Sequence, residues 1–266
     1  VGKKHRMTQP SWLNQPVFGF GVWPNQEIEV SINDVEFTLR PQTISSQASI
    51  HLNLAAQNLE LNEANSLINK LLSLMCFCSD QPYWLGSNGL SGTVTKQSCF
   101  PKEQLRPFNR RIDKFPETLY LLDNTDHLIS LALYREGKIS SIYSHALACL
   151  SFYKIIEPLK ENKGPETLND WMKPHLKALE HIYPSGMKVL KEKASDKNMP
   201  LSEYLFKHIR NGAAHLFLDT KINLDEMHDS EAFYFAMYPL EYMARNYIEE
   251  DLKVPTLLDW YKLSRN

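Results

Sequence analysis

Cysteine is scarce in this 266-residue chain: the four residues Cys76, Cys78, Cys99 and Cys149 lie unevenly in or beside apolar runs. That density excludes the disulfide framework of a small secreted domain, and a reducing cytoplasm is the expected setting. Cys76 and Cys78, one residue apart on a segment patterned as a buried helix with no second pair nearby, read as buried thiols rather than a metal or redox pair. Long hydrophobic runs are missing too. No segment reaches the ~20 apolar residues of a membrane span, and the polar, basic start from Val1 to Pro10 has no apolar signal-peptide core, so neither anchoring nor export is expected. Charge of one sign is also lacking. A net charge of −2 and a pI near 6.5 leave no global basic field, so any nucleic-acid contact has to rest on local patches. The histidines are scattered and the acidic stretch Asp225-Glu226-Met227-His228-Asp229 reads as a loop, so no metal cage and no cofactor are expected.

What is present is an ordinary globular composition, 43% hydrophobic, enough for one large or two small domains. Residues Phe18 to Leu54 alternate with a period of two: Phe18-Gly19-Phe20-Gly21-Val22-Trp23 is aromatic and glycine-spaced, then come Ile28-Val30-Ile32, Val35-Phe37-Leu39 and Ala48-Ile50-Leu52-Leu54. Asn33-Asp34 turns one pair into a hairpin, so a small antiparallel sheet with one solvated face is expected. Asn62 would cap a helix whose apolar residues, Leu67, Leu71, Leu74, Met75 and Cys76, pack on that sheet. From Asp80 to Pro101 loops dominate, around a short strand near Gly92-Thr93-Val94-Thr95. Lys102, Arg106, Arg110, Arg111 and Lys114 then form the most basic run, interleaved with Phe100, Phe108 and Phe115. It is either a solvated connector face or a strip that contacts RNA phosphates.

After Leu121 the period becomes helical. Thr125-Asp126 caps one helix that Gly137 ends; Ile142, Ala146, Cys149, Leu150, Tyr153 and Ile156 stripe a second, stopped at Pro158. Leu168, Met172, Leu176, Leu179 and Ile182 mark a third, Met187 to Lys193 a short basic one, and Pro200 opens another with Leu201, Tyr204, Leu205 and Ile209 facing inward. Ala232 to Asp251 closes the series, with Pro239 as a kink or restart. The chain is therefore α+β: an N-terminal, mainly antiparallel β domain with a helix over residues 1–118, of unassigned role, and an all-α up-and-down helical bundle over 119–266.

The most informative stretch is Tyr204-Leu205-Phe206-Lys207-His208-Ile209-Arg210-Asn211-Gly212-Ala213-Ala214-His215, which sets an arginine, an asparagine and two histidines into a core-patterned helix. On an ideal helix Arg210 and His215 lie about 140° apart, so one copy aims both at a single phosphate only if the arginine wraps, the helix ends near Gly212, or a second copy contributes. The small residues Gly212, Ala213 and Ala214 leave room for a close neighbour, which suits a symmetric dimer with paired motifs. An imidazole moves protons near neutrality and a guanidinium stabilises a pentacoordinate phosphate. RNA brings its own 2′-hydroxyl nucleophile, so such a pair could cleave it without metal. The competing structural role is an arginine capping a helix end and a histidine satisfied in the bundle. Glu157 could pair with Arg210 and orient it, or be a solvated helix end; His208 could support the pair, though it reads better as facing solvent or a neighbouring helix; Tyr153 reads as core.

Arg-Asn-x-x-x-His near the end of a helix, after a second helix reading Ala146-Leu147-Ala148-Cys149-Leu150-Ser151-Phe152-Tyr153-Lys154-Ile155-Ile156-Glu157, resembles the HEPN superfamily, in particular ApeA-like defence proteins and methylamine utilization protein MauJ, over roughly Leu121 to Asp251. The resemblance implies a metal-independent endoribonuclease with Arg210 and His215 as catalytic residues, Asn211 supporting them, and a composite site across a homodimer, acting in antiviral defence or stress as a toxin-like nuclease. HEPN toxins paired with a nucleotidyltransferase antitoxin carry a Tyr two residues after the His; here Phe217 stands there, so adenylylation control is not expected. Members without nuclease activity imply the alternative, a non-catalytic dimerisation and interaction module whose β domain binds an unidentified protein or small molecule.

Overall fold

The computed structural model describes residues 11–87, 89–95, 110–112, 115, 118–119, 124–159, 165–214 and 227–254. The chain is α+β and divides into two compact units between residues 123 and 124. In the first unit β1 (Trp12–Gly19), β2 (Val22–Pro24), β3 (Ile28–Ile32), β4 (Val35–Arg40) and β5 (Ser49–Asn53) precede helix α1 (Leu61–Ser79). After it come β6 (Tyr83–Leu85), β7 (Gly89–Ser91), β8 (Arg110–Ile112) and β9 (Thr118–Leu119). The main sheet has the order β6-β1-β5-β4-β3-β9. β1 takes two further partners along one side, β7 at Trp12–Asn14 and β6 at Val17–Gly19. Pairing is antiparallel except for β3 with β9 and the separate β2–β8 ladder, which are parallel. The β3–β4 hairpin turns on Asn33 and Asp34, both at positive φ (48° and 64°), the conformation that matches a two-residue turn to the strand twist.

Strand register sorts the side chains. Leu13, Val17, Ile50, Leu52, Leu39, Phe37, Val30 and Ile32 share one face and are buried; with Ala64, Ile68, Leu71, Leu72 and Phe77 of α1 they are the apolar core. The opposite face was expected to be solvated, yet Asn14, Ser49 and His51 on it are fully or almost fully buried. They satisfy one another: the His51 ring joins Ser49 Oγ at 2.8 Å through Nε2 and Asn14 Oδ1 at 2.7 Å through Nδ1. Asn14 Nδ2 in turn donates to Ser91 Oγ at 2.8 Å. Because Asn14 Oδ1 also accepts from Thr95 N at 3.1 Å, residues 92–95 hang on a side chain instead of forming the expected strand, which ends at Ser91. The aromatic run Phe18 to Trp23 is likewise two strands, broken at Phe20-Gly21. Gly21 lies against the Tyr83 hydroxyl, where a Cβ would collide, and that hydroxyl accepts from Val22 N at 2.5 Å and reaches Val22 O at 2.8 Å. α1 is capped two residues earlier than expected, at Glu60 rather than Asn62, because Glu60 and Glu63 form a reciprocal capping box.

In the second unit α2 (Thr125–Ser140), α3 (His145–Ile156), α4 (Pro165–Ile182) and α5 (Pro184–Asp196) are followed by a helical run over residues 201–214, α6, and by α7 (Met227–Asn246), which ends in a π-helical turn, Tyr247–Asp251. Asn124, rather than Thr125-Asp126, caps α2, accepting from Asp126 N at 2.8 Å. α2 continues through Gly137, since that glycine is buried beside Phe152 and permits close approach of α3 rather than ending the helix. Ser144 caps α3, which leaves Ile142 exposed in the preceding turn. α7 begins inside the acidic stretch read as a loop and keeps Pro239 within it. α4 and α5 run in line against α7, their contacts descending it: Trp171 Nε1 donates to Asp251 Oδ2 at 3.2 Å, Tyr183 meets Tyr238 with centroids 5.0 Å apart, and Lys193 pairs with Glu231 at 2.9 Å. Lys138 and Glu241, 2.6 Å apart and both largely buried, tie α2 to α7. Among the described residues no helix is long and apolar enough to cross a membrane.

Two measurements check this packing. A Cβ at residue 137 would lie 2.5 Å from the buried Phe152 ring, so the overpacking cost of about 1–3 kcal/mol exceeds the roughly 1 kcal/mol of helix propensity that alanine brings; Gly137→Ala should lower stability in denaturant titration. Burial, with Arg40 nearby and against the opposing pull of Glu27, lowers His51 from 6.5 to about 4. The unfolded chain thus takes up a proton that the folded one refuses between those values. Stability of the first unit should be complete above pH ~6.5 and fall towards pH 4 by up to about 3 kcal/mol, and His51→Gln should flatten that slope.

Candidate functional site

α6 carries the motif on three successive stretches: α-helical Leu201–Tyr204, π-helical Leu205–Arg210 and α-helical Asn211–Ala214. The Asn211 N–H bonds to the Phe206 carbonyl, five residues back. Leu205, Ile209 and Ala213 are buried at strict intervals of four. That spacing puts them on one face of the helical run. π turns of this kind concentrate at functional sites. Residues 211–214, which follow Arg210 in the motif, are α-helical. Position 215 itself is outside the described residues, so His215 is not placed.

Arg210 ends the π turn and faces the last turn of α3. Its Nη2 donates to Glu157 Oε1 at 2.6 Å, with both side chains about one-fifth exposed, and its Nη1 donates to Asn211 Oδ1 at 3.0 Å. The guanidinium lies 5.9 Å from the Phe206 ring centroid, and that ring meets Tyr153 with centroids 6.1 Å apart. Tyr153 and Glu157 are four apart on α3, as are Phe206 and Arg210 on α6, so each helix offers one ring and one charge on the same face. The result is a ladder of two rungs, ring on ring and cation on anion. Burial, and then the Glu157 carboxylate, push the Tyr153 hydroxyl well above the usual tyrosine range, with Arg210 pulling the other way. Two donors of the ladder, Tyr153 Oη and Arg210 Nε, are buried without a hydrogen-bond partner among the described residues.

Of the residues picked out in the sequence, Arg210, Asn211 and Glu157 come together. His208 is turned elsewhere: its ring stacks on Tyr204 at 5.3 Å, and burial with the charges of Lys197 and Lys207 lowers its pKa, so it is neutral at pH 7. Gly212 and Ala213 are buried within the chain, where this segment meets α3; of the three small residues only Ala214 is exposed. Lys102 and Arg106 fall outside the described residues. Arg110 and Arg111 lie in β8, in the other unit, where their backbone pairs with Val22 and Trp23. Tyr153, read as core, is buried, and its ring contact with Phe206 was not anticipated. The signal for it was the matching spacing of four on two helices, which means nothing until the helices are known to face each other.

The family model of methylamine utilization protein MauJ matches residues 130–249. Over that span the second unit is similar to MauJ. The matched span runs from α2 into the final π turn and takes in Tyr153, Glu157, Phe206, Arg210 and Asn211. No curated protein and no solved structure gives a significant match. The MauJ-like stretch thus contains the whole ladder, while the β unit lies outside it.

The ion pair can be weighed directly. Glu157→Ala leaves a mostly buried guanidinium with one charged partner fewer, and stability should drop by about 1–3 kcal/mol. In a double-mutant cycle with Arg210→Ala the two losses should fall short of additivity by about 1 kcal/mol or more; simple additivity would show that the pair contributes nothing.

Proposed function

We propose that the protein is a metal-independent endoribonuclease of HEPN type, acting as a homodimer in phage defence or a stress response. The observation that carries this reading is the posture of Arg210. Held by Glu157 and Asn211 at the end of a π turn, the guanidinium is oriented yet still partly exposed, which is how a cation is pre-positioned for an anionic transition state. Similarity of residues 130–249 to MauJ supports the HEPN assignment through the motif shared with that branch.

In this mechanism His215 accepts the 2′-hydroxyl proton, the 2′-oxygen forms a bond to the adjacent phosphorus, and the P–O5′ bond breaks. The departing 5′-oxygen takes a proton, leaving a 2′,3′-cyclic phosphate and a 5′-hydroxyl. Arg210 neutralises the pentacoordinate phosphorane, and Asn211 holds the guanidinium in plane. The partner copy supplies a second motif that completes the site. The basic run Lys102, Arg106, Arg110 and Arg111 is a further RNA contact.

A second reading has one observation in its favour. Tyr143, Leu147, Tyr234 and Tyr238 of the second unit are 69%, 42%, 51% and 39% exposed, more apolar surface than a solvated helix face needs. That suits a non-catalytic interaction module.

Cleavage of unstructured RNA in excess chelator separates the two readings. The parent chain should produce cyclic-phosphate ends, and Arg210→Ala and His215→Ala should each reduce the rate about 10²-fold or more while melting as folded proteins. A parent without cleavage, or variants as active as the parent, would remove the nuclease reading.

A further inference from the structure

Glu157 and Asn211 each take one terminal nitrogen of Arg210. Nε, the remaining face of the guanidinium, is buried and makes no hydrogen bond among the described residues, and the same is true of the Tyr153 hydroxyl. The Tyr153 ring and the Arg210 guanidinium both neighbour one ring, Phe206. Burying one donor without an acceptor is already unfavourable; two, on residues that both neighbour the Phe206 ring next to a charged pair, call for a specific reason. A phenylalanine at position 153 would keep the ring contact with Phe206 and remove the unpaired hydroxyl, so packing alone does not explain a tyrosine there.

We propose that Tyr153 Oη–H and Arg210 Nε–H are two donors of one oxyanion site, and that a non-bridging oxygen of the RNA phosphodiester is the acceptor both lack. This rests on the endoribonuclease reading and adds a substrate contact to it. A phosphodiester fits because both free groups are donors, so an acceptor-only anion satisfies them together, and because the anion also balances the cation that Glu157 now neutralises. The raised tyrosine supports the role: the hydroxyl keeps its proton at neutral pH, so it can donate but cannot serve as the base. Phe206, half-buried and adjacent to both residues, is the side chain that turns aside to admit the phosphate. No bond is made or broken by Tyr153; it binds the anion that Arg210 also binds.

The test uses the full chain and a short 2′-O-methyl RNA, which cannot be cleaved, with binding read by fluorescence anisotropy. Tyr153→Phe should weaken binding about ten- to a hundredfold, the effect of one hydrogen bond to a charged group, and its melting temperature should hold or rise because an unpaired buried hydroxyl is gone. If Tyr153→Phe binds within twofold of the parent while Arg210→Ala has lost binding, the tyrosine is packing only; the proposal falls and the nuclease reading stands. A clear drop in melting temperature would show the hydroxyl to be satisfied inside the folded chain and also overturns the proposal. Should Arg210→Ala bind as the parent does, both readings fail together.

Discussion

The ion pair between Glu157 and Arg210 is the constraint on which the second unit turns. It joins the end of α3 to the end of the π turn in α6, and it does so with little exposure on either side, where a pair is stronger than at the surface but intolerant of losing one member. The π turn is what delivers the arginine. Leu205 and Ile209, four apart on it, are packed inward, and Phe206 and Arg210, also four apart, share the neighbouring face. Packing and site are therefore one arrangement: the residues that bury α6 also fix the guanidinium.

The first unit solves a different problem with comparable means. Its sheet is buried on both faces, one by aliphatic and aromatic side chains, the other at Asn14, Ser49 and His51. A buried polar face is tolerated only when its groups answer each other. The chain from Ser49 through His51 to Asn14 and on to Ser91 does this with neutral partners. It also makes the unit sensitive to acid, since a charged imidazole has no compensating anion within that chain. The two units thus differ in how they spend polarity: neutral and sealed in the sheet, charged and half-open in the helices.

Much of this was legible in the residue order. Alternation at Ile28-Val30-Ile32 and Val35-Phe37-Leu39 with Asn33-Asp34 between them is a hairpin by spacing alone, and the stripe through Ala146, Cys149, Tyr153 and Ile156 is a helix by its period. Glycine was harder to read. Gly137 has the look of a helix end, yet it sits inside α2 because Phe152 of another helix needs the space. Strand ends went the same way: Phe18 to Trp23 alternates well enough for one strand, but Tyr83 from beyond α1 fixes a break at Gly21.

Residue order by itself determined the local states, the division into sheet and helices, and the unusual company of Arg210 and Asn211, because periods of two and of three to four are properties of neighbouring residues. Only tertiary structure decided that Glu157 faces Arg210, that Tyr153 lies beside it with its hydroxyl unpaired, that Gly212 and Ala213 are consumed within the chain, and that α6 widens where the motif begins. The reason is physical. Each of these depends on which face of one helix meets another, and a single missing or extra residue per turn, as in the π segment, redirects that face without leaving any mark in composition or spacing.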